Sequence, residues 1–190
     1  MRLWLVRHGE TAWARERRHT GRTDVPLSPA GEDQARSLGL RLARERFNRV
    51  FTSPLSRASE TARLAGFGAR ALPRDELLEF DYGEYEGLTT PQIRARRPGW
   101  DLFRDGCPGG ETVAAVADRV RPFLAEVTDA DEEVLVFGHG HALRIMTAAY
   151  LGLPLDAARH LFLLTASLSV LGTEHEWPAL HRWNDCGPGQ

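Results

Sequence analysis

The sequence predicts an α/β protein: a three-layer α/β/α sandwich around a mostly parallel central sheet, with a small lid-like excursion. Three observations carry this. Short apolar runs at 3–6, 49–52 and 133–138 read as buried strands. Amphipathic stretches of helical period lie between them, the alternation that builds parallel sheets from βαβ units. Two of the strand ends, Arg7-His8-Gly9 and Gly138-His139-Gly140-His141, are crowded with polar groups, and ligands of open parallel sheets bind at such ends.

Taken in order, Leu3–Val6 is a strand that stops abruptly at the polar Arg7–Thr11. Ser28-Pro29 starts a helix, with Ser as N-cap, Pro at the first helical position, and Ala35, Leu38 and Leu42 at helical spacing. Arg49–Thr52 is the second strand, and Ser53-Pro54 turns into a helix over 55–65. A third strand is expected at 69–72. Residues 77–110 form the excursion: a Gly/Tyr-rich stretch, a short helix over 90–96 and the turn-rich 105–110. Val113, Val116, Val120, Leu124 and Val127 mark a helix kinked at Pro122. Glu133–Gly138 is the clearest buried strand, followed by a helix over 139–151. Leu161–Leu164, Leu168–Leu171 and Ala179–Trp183 read as short strands at the sheet's edge. With no repeat and no linker, residues 1–190 read as one domain.

Composition narrows the function. A chain of 190 residues, 42% hydrophobic and 26% charged, can bury about 70% of its unfolded surface, which excludes a disordered or fibrous protein. The net charge of −2 offers no basic field for nucleic acid or an anionic membrane, so neither is expected as a partner. All 24 basic residues are arginine, so lysine chemistry is excluded. Cys107 and Cys186 have neither metal-ligand nor scaffold spacing. No apolar run is long enough for a signal peptide or membrane span, so a cytoplasmic location is expected. The oligomeric state stays open, a homodimer included.

The two polar strand ends suggest a shared pocket. Gly9 would let a ligand approach His8 closely, and His139 starts a helix, where free N–H groups and the dipole favour an anion. With Arg7 and Arg57 they would form a cationic cup suited to a phosphoryl group, whose transfer depends on positioning and charge stabilisation. Singly, each residue has an ordinary structural explanation: Arg57 alone would be a surface residue and His139 a cap.

Together they form a pattern. Leu5-Val-Arg-His-Gly-Glu-Thr11, Thr20-Gly21 with Asp24, Pro26-Leu27-Ser28, Thr52-Ser-Pro-Leu-Ser-Arg57, Leu78-Glu79 before Tyr82-Gly83, and Gly138-His-Gly140 occur in that order. The chain thereby resembles the histidine phosphatase superfamily, also called phosphoglycerate mutase-like, over residues 3 to about 145. The resemblance implies that fold and a phosphohistidine formed on His8. It implies phosphate-binding roles for Arg7, Arg57 and His139, and a proton-donor role for Glu79. Thr20, Gly21 and Gly140 complete the expected substrate-binding set. No metal or other cofactor is implied, and His139-x-His141 lacks further ligands for one.

The physical logic agrees. His8 must be neutral at its attacking nitrogen, with its other N–H held by a fixed acceptor. Two arginines and a protonated His139 would neutralise the transferring oxygens. Glu79 must carry a proton when the leaving group departs; Glu84 and Glu86 are the nearby alternatives. His141 is expected to pack or cap, His19 and Arg15/Arg17/Arg18 to form a solvated loop near the site, and Arg94/Arg96/Arg97 a solvated helix face.

Within the superfamily, the mutase-type opening has Trp-Asn where this chain has Trp13-Ala14, which favours hydrolysis over mutase chemistry. The stretch 81–90, with 103–112 and 138–144, is similar to broad-specificity acid phosphatases and the sedoheptulose-bisphosphatase branch. The expectation is a metal-independent phosphomonoesterase for small phosphorylated metabolites, sugar phosphates or bisphosphates. The alternatives are a cofactor-dependent phosphoglycerate mutase, a ribazole-phosphate phosphatase, and a phosphate-binding sensor without turnover.

Overall fold

Apolar side chains alternate along the first strand, β1 (Arg2–Arg7), so that Leu3 and Leu5 enter one core cluster while Trp4 and Val6 enter another. The same period of two divides β4 (Glu133–Gly138), which sends Val134 and Val136 one way and Leu135 and Phe137 the other. Strands buried on both faces need helices on both faces. The computed structural model, which describes residues 1–129 and 131–187, shows that arrangement. The helices α2 (Pro29–Leu42) and α3 (Ser56–Leu64) cover the Trp4 face. On the Leu3 face lie α6 (Val113–Thr128), α7 (Gly140–Tyr150) and the irregular 77–110 segment with α4 (Thr90–Arg96) and α5 (Leu102–Asp105).

Six strands form one sheet in the order β3-β2-β4-β1-β5-β6. β2 (Arg49–Thr52), β3 (Ala71–Pro73), β4 and β1 are parallel. β5 (Leu168–Glu174) and β6 (Trp177–Asp185) form an antiparallel hairpin against the far side of β1. The fold is α/β with a mostly parallel sheet, as the alternation predicts. Ser28 caps α2 through the Gly31 N–H, and α6 runs unbroken through Pro122, which faces solvent. Among the described residues no helix is long and apolar enough to cross a membrane. Both cysteines are free thiols.

Residues 161–164 are not a strand. Their composition suits one, but their backbone groups are taken by side chains. Arg7 donates to the Leu163 carbonyl, Trp183 to the Phe162 carbonyl, and the Leu164 N–H donates to Asn184. Segment 77–110 is well packed: Phe80, Ile93 and Trp100 lie in the same core cluster as Leu3 and Val136. Because β1, β2 and β4 are parallel, their carboxyl ends bring Arg7-His8, Ser53–Arg57 and Gly138–His141 to one edge of the sheet.

Candidate active site

His8 stands just past β1 and is fixed on both sides. Its N–H donates to Gly138 O (3.0 Å) and its carbonyl accepts from the Ala166 N–H (3.0 Å). The ring is fixed as well: Nδ1–H donates to its neighbour's carbonyl, Gly9 O, at 2.7 Å. That bond selects the tautomer whose Nε2 carries a lone pair. Burial, then the charges of Arg57 and Arg7, hold the imidazole well below the usual histidine range. The ring is neutral, and its free nitrogen is an available nucleophile.

Gly9 has a different reason from the one expected. A Cβ there would lie 2.4 Å from the Gly31 carbonyl oxygen, and one at Gly31 would lie 2.1 Å from the Glu10 carbonyl oxygen. The missing side chain lets the loop touch the start of α2; it does not open a path for a ligand. The Gly9 N–H donates to Thr61 Oγ1 and the Glu10 N–H to Gln34 Oε1, which locks the loop further.

Behind His8 lies a second layer. The His139 ring centroid is 5.2 Å from that of His8. Arg57 Nε donates to His139 Nδ1 (3.2 Å), so that nitrogen is unprotonated, and Nε2–H is left to donate to Ser53 Oγ (2.7 Å). Burial and then Arg57 push His139 well below the usual range. The protonated His139 of the sequence reading is therefore corrected: beside a guanidinium that donates to it, the ring is neutral. The remaining Arg57 nitrogens donate to the carbonyls of Thr20, Gly21 and Thr23, and Asp24 ties that loop to the start of α3 through Ser56.

Arg7, His8, Thr20, Glu79 and Gly140 line a cavity of about 600 Å³. Arg57, His139 and Gly21 sit immediately behind its wall and do not line it. Arg7 lies across Gly140, where a Cβ would be 3.4 Å from its guanidinium carbon. Among the described residues, Arg7 Nε is the one buried side-chain polar atom without a hydrogen-bond partner, and such a donor is costly to leave unpaired. Glu79 is buried against the first turn of α7. Its Oε1 accepts from the N–H groups of Phe80 (2.9 Å) and Ala142 (2.9 Å), and its Oε2 accepts from that of His141 (3.2 Å). Neither Glu84 nor Glu86 reaches the cavity; Glu86 instead accepts from the N–H groups of Gly21 and Thr23.

The sequence reading misses part of the wall. Tyr82 shares a 2.6 Å hydrogen bond with His141 Nδ1, so His141 packs as expected. His19 does not lie in a solvated loop. It bonds Thr90 Oγ1 and packs against Tyr82 and Trp100, and burial lowers its pKa to about 4. Arg15, Arg17 and Arg18 stay exposed but line the cavity, as does Arg144. Helical spacing from Gly140 could have flagged Arg144; nothing local flags the Leu163 carbonyl. Arg94, Arg96 and Arg97 lie exposed on α4 and just after it, away from the cavity. Among the described residues no group of three His, Cys, Asp or Glu side chains is placed to hold a metal.

Comparison with known proteins gives consistent results. The family model described as histidine phosphatase superfamily (branch 1) matches residues 3–186. An acid phosphatase of Mycobacterium tuberculosis is 42% identical over 178 residues, covering 92% of this chain and 87% of that protein. A sedoheptulose 1,7-bisphosphatase of Saccharomyces cerevisiae is 33% identical over 184 residues, covering 80% and 68%. The solved structure of an open reading frame product from Mycobacterium tuberculosis superposes with a TM-score of 0.92 at 40% identity, covering 97% of each chain.

Proposed function

We propose that this chain, which belongs to the histidine phosphatase superfamily (branch 1), is a metal-independent phosphomonoesterase that acts through a phosphohistidine on His8. The observation that carries the mechanism is the His8 ring. Its Nδ1–H is committed to Gly9 O, and Nε2 is left for attack in the cavity that Arg7, whose Nε is unpaired, also lines. A bound phosphoryl oxygen would satisfy that buried donor.

In the first step the Nε2 lone pair attacks phosphorus, an N–P bond forms, and the bond to the leaving oxygen breaks. That oxygen takes a proton from Glu79. The Gly9 carbonyl supports the positive charge that develops on the ring. In the second step water attacks phosphorus, its proton passes to Glu79, and the N–P bond breaks to release inorganic phosphate and neutral His8. Arg7 makes the direct contact with the transferring oxygens. Arg57 and His139 supply charge and position from one layer behind, where the Gly21 carbonyl holds Arg57, while Thr20 and Gly140 shape the wall. Segment 77–110 serves one domain as the excursion that brings Glu79 and Tyr82 to the site.

The substrate class is small phosphorylated metabolites, with sugar phosphates or bisphosphates foremost. The names of the two phosphatase relatives support this, as does a cavity of about 600 Å³, within the range of small-molecule sites. Ala14 lines that cavity with a methyl group, which favours hydrolysis over mutase chemistry. The test is phosphate release from a panel of phosphorylated metabolites, with and without EDTA, including 3-phosphoglycerate with and without its bisphosphate. Release from one or a few sugar phosphates, unchanged by EDTA, is expected. Interconversion of phosphoglycerates without release would make the protein a mutase. EDTA inhibition reversed by added metal would overturn the mechanism.

A further inference from the structure

Glu79 sits on a stretch without regular structure. Residues 78–82 belong to neither helix nor strand, so no ladder of backbone bonds fixes where its side chain starts. The carboxylate is held by the first turn of α7, and the backbone that carries it is held by a different element. Arg119, on α6, donates Nη1–H to the Glu76 carbonyl (2.7 Å) and Nη2–H to the Glu79 carbonyl (3.2 Å). Its Nε (2.8 Å) and Nη2 (3.2 Å) also donate to the two oxygens of Glu111, just ahead of α6. Glu111 Oε2 in turn accepts from the Asp81 N–H (2.9 Å), and the Glu111 N–H donates to the Asp81 carbonyl (2.9 Å). Gly110 permits that approach, since a Cβ there would lie 2.3 Å from the same carbonyl oxygen. Four bonds thus join residues 76–81 to the pair.

Exposed ion pairs contribute little, but this one is different. Its side chains are only 18% and 16% exposed and meet at two points. Its base is rigid: Val116, Val120 and Phe123 of α6 are fully buried in the core cluster that also holds Leu143 and Met146 of α7. Neither Arg119 nor Glu111 lines the cavity, so the pair acts there only through what it holds. Because Glu111 matches the guanidinium charge, the pair supplies position without net charge. A proton donor must stand within hydrogen-bond reach of the leaving oxygen, and a misplacement of about 1 Å can cost about a hundredfold in rate.

We propose that Arg119 and Glu111 are positioning residues for Glu79. They tie its backbone to α6, so that the carboxyl held by α7 stays within reach of the leaving oxygen. The proposal rests on the phosphatase reading above, in which Glu79 protonates that oxygen.

Values of kcat/KM on glycerol 3-phosphate and p-nitrophenyl phosphate test this, because only the first leaving group needs a proton. Arg119→Gln should lower the glycerol 3-phosphate value about tenfold and the p-nitrophenyl phosphate value less than about threefold. In a Glu79→Gln background the same substitution should lower the glycerol 3-phosphate value less than about twofold, since the proton donor it positions is already gone. Glu111→Gln, nearly isosteric, should shift the ratio of the two esters the same way by about threefold, and it carries the test if Arg119→Gln does not fold. Equal losses on both esters, or a loss that persists undiminished in the Glu79→Gln background, would overturn the proposal and leave the pair as a stabilising contact. If Glu79→Gln alone slowed both esters equally, the proton-donor reading would fail, and the proposal with it. A wild-type protein that released phosphate from neither ester would instead remove the phosphatase reading itself.

Discussion

The floor and the rim of the cavity are lined by the same residue types but held in different ways. At the floor, His8, Arg7 and Glu79 are each tied to backbone groups: the Gly9 and Leu163 carbonyls, and the N–H groups of Phe80, His141 and Ala142. At the rim, the Arg15 side chain is 65% exposed and meets Glu10 only at 3.9 Å, while Arg18 pairs with Glu16 in solvent. A group held by backbone loses little freedom when a ligand arrives, and its geometry does not depend on a second flexible side chain. Exposed arginines with mobile partners contribute little fixed geometry and mostly long-range attraction. On the proposed mechanism the floor carries the chemistry and the rim attracts the substrate.

The sharpest way to break this division is at the proposed nucleophile, His8. His8→Ala leaves every rim arginine in place and should lower turnover of p-nitrophenyl phosphate by about 10⁴ or more. Acid-labile phosphate on the quenched protein should vanish with it. Substantial residual turnover would move the nucleophile elsewhere.

A smaller effect separates the two tasks of Glu79. Glu79→Gln should slow an alkyl phosphate such as glycerol 3-phosphate by about 10²- to 10³-fold. Loss on p-nitrophenyl phosphate, whose leaving group needs no proton, should stay under about tenfold. Equal losses would reduce Glu79 to a cap on the first turn of α7.

The smallest effect concerns stability. His8, His139 and His141 are held well below the usual histidine range, and His19 at about 4, in each case first by burial. The unfolded chain takes up protons on these rings near pH 6.5, whereas the folded chain does not. Their stabilisation is therefore complete above about pH 7 and falls as the pH drops below 6.5; for His19 the loss levels off near pH 4. Urea unfolding should take up between three and four protons near pH 5.5, roughly 0.9 for each of the four rings, read from the slope of unfolding free energy against pH. A flat slope would mean that these histidines are already charged in the folded protein. The His8 ring should meanwhile stay neutral where the fold weakens.

What could be read from the sequence follows the same division. Arg7, His8 and Gly140 are legible because a parallel strand delivers its last residues to the sheet edge. The chemistry there is written in consecutive positions. Ser28-Pro29 announces α2 because a cap and a fixed φ act locally. The Leu163 carbonyl on Arg7, the burial of His19 and the Gly9–Gly31 contact are not legible. Each joins residues far apart in sequence, and none leaves a periodic or compositional mark. The run Leu161–Leu164 misleads for a related reason. Strand propensity records side-chain preference and says nothing of where backbone hydrogen bonds go. The sequence suggests a charged His139 because a cation would neutralise the transferring oxygens, whereas the ring's actual neighbour is the donating Arg57 Nε.

The position of β1 also governs when the protein can become an enzyme during its synthesis. Although β1 is made first, it lies between β4 and β5, and His8 hangs from Gly138 on one side and Ala166 on the other. A growing chain emerges from the ribosome in sequence order, and pairings this distant must wait for both partners. His8 therefore stays unset through most of translation. A chain cut short before residue 166 would carry every motif of the phosphohistidine chemistry without the scaffold to perform it.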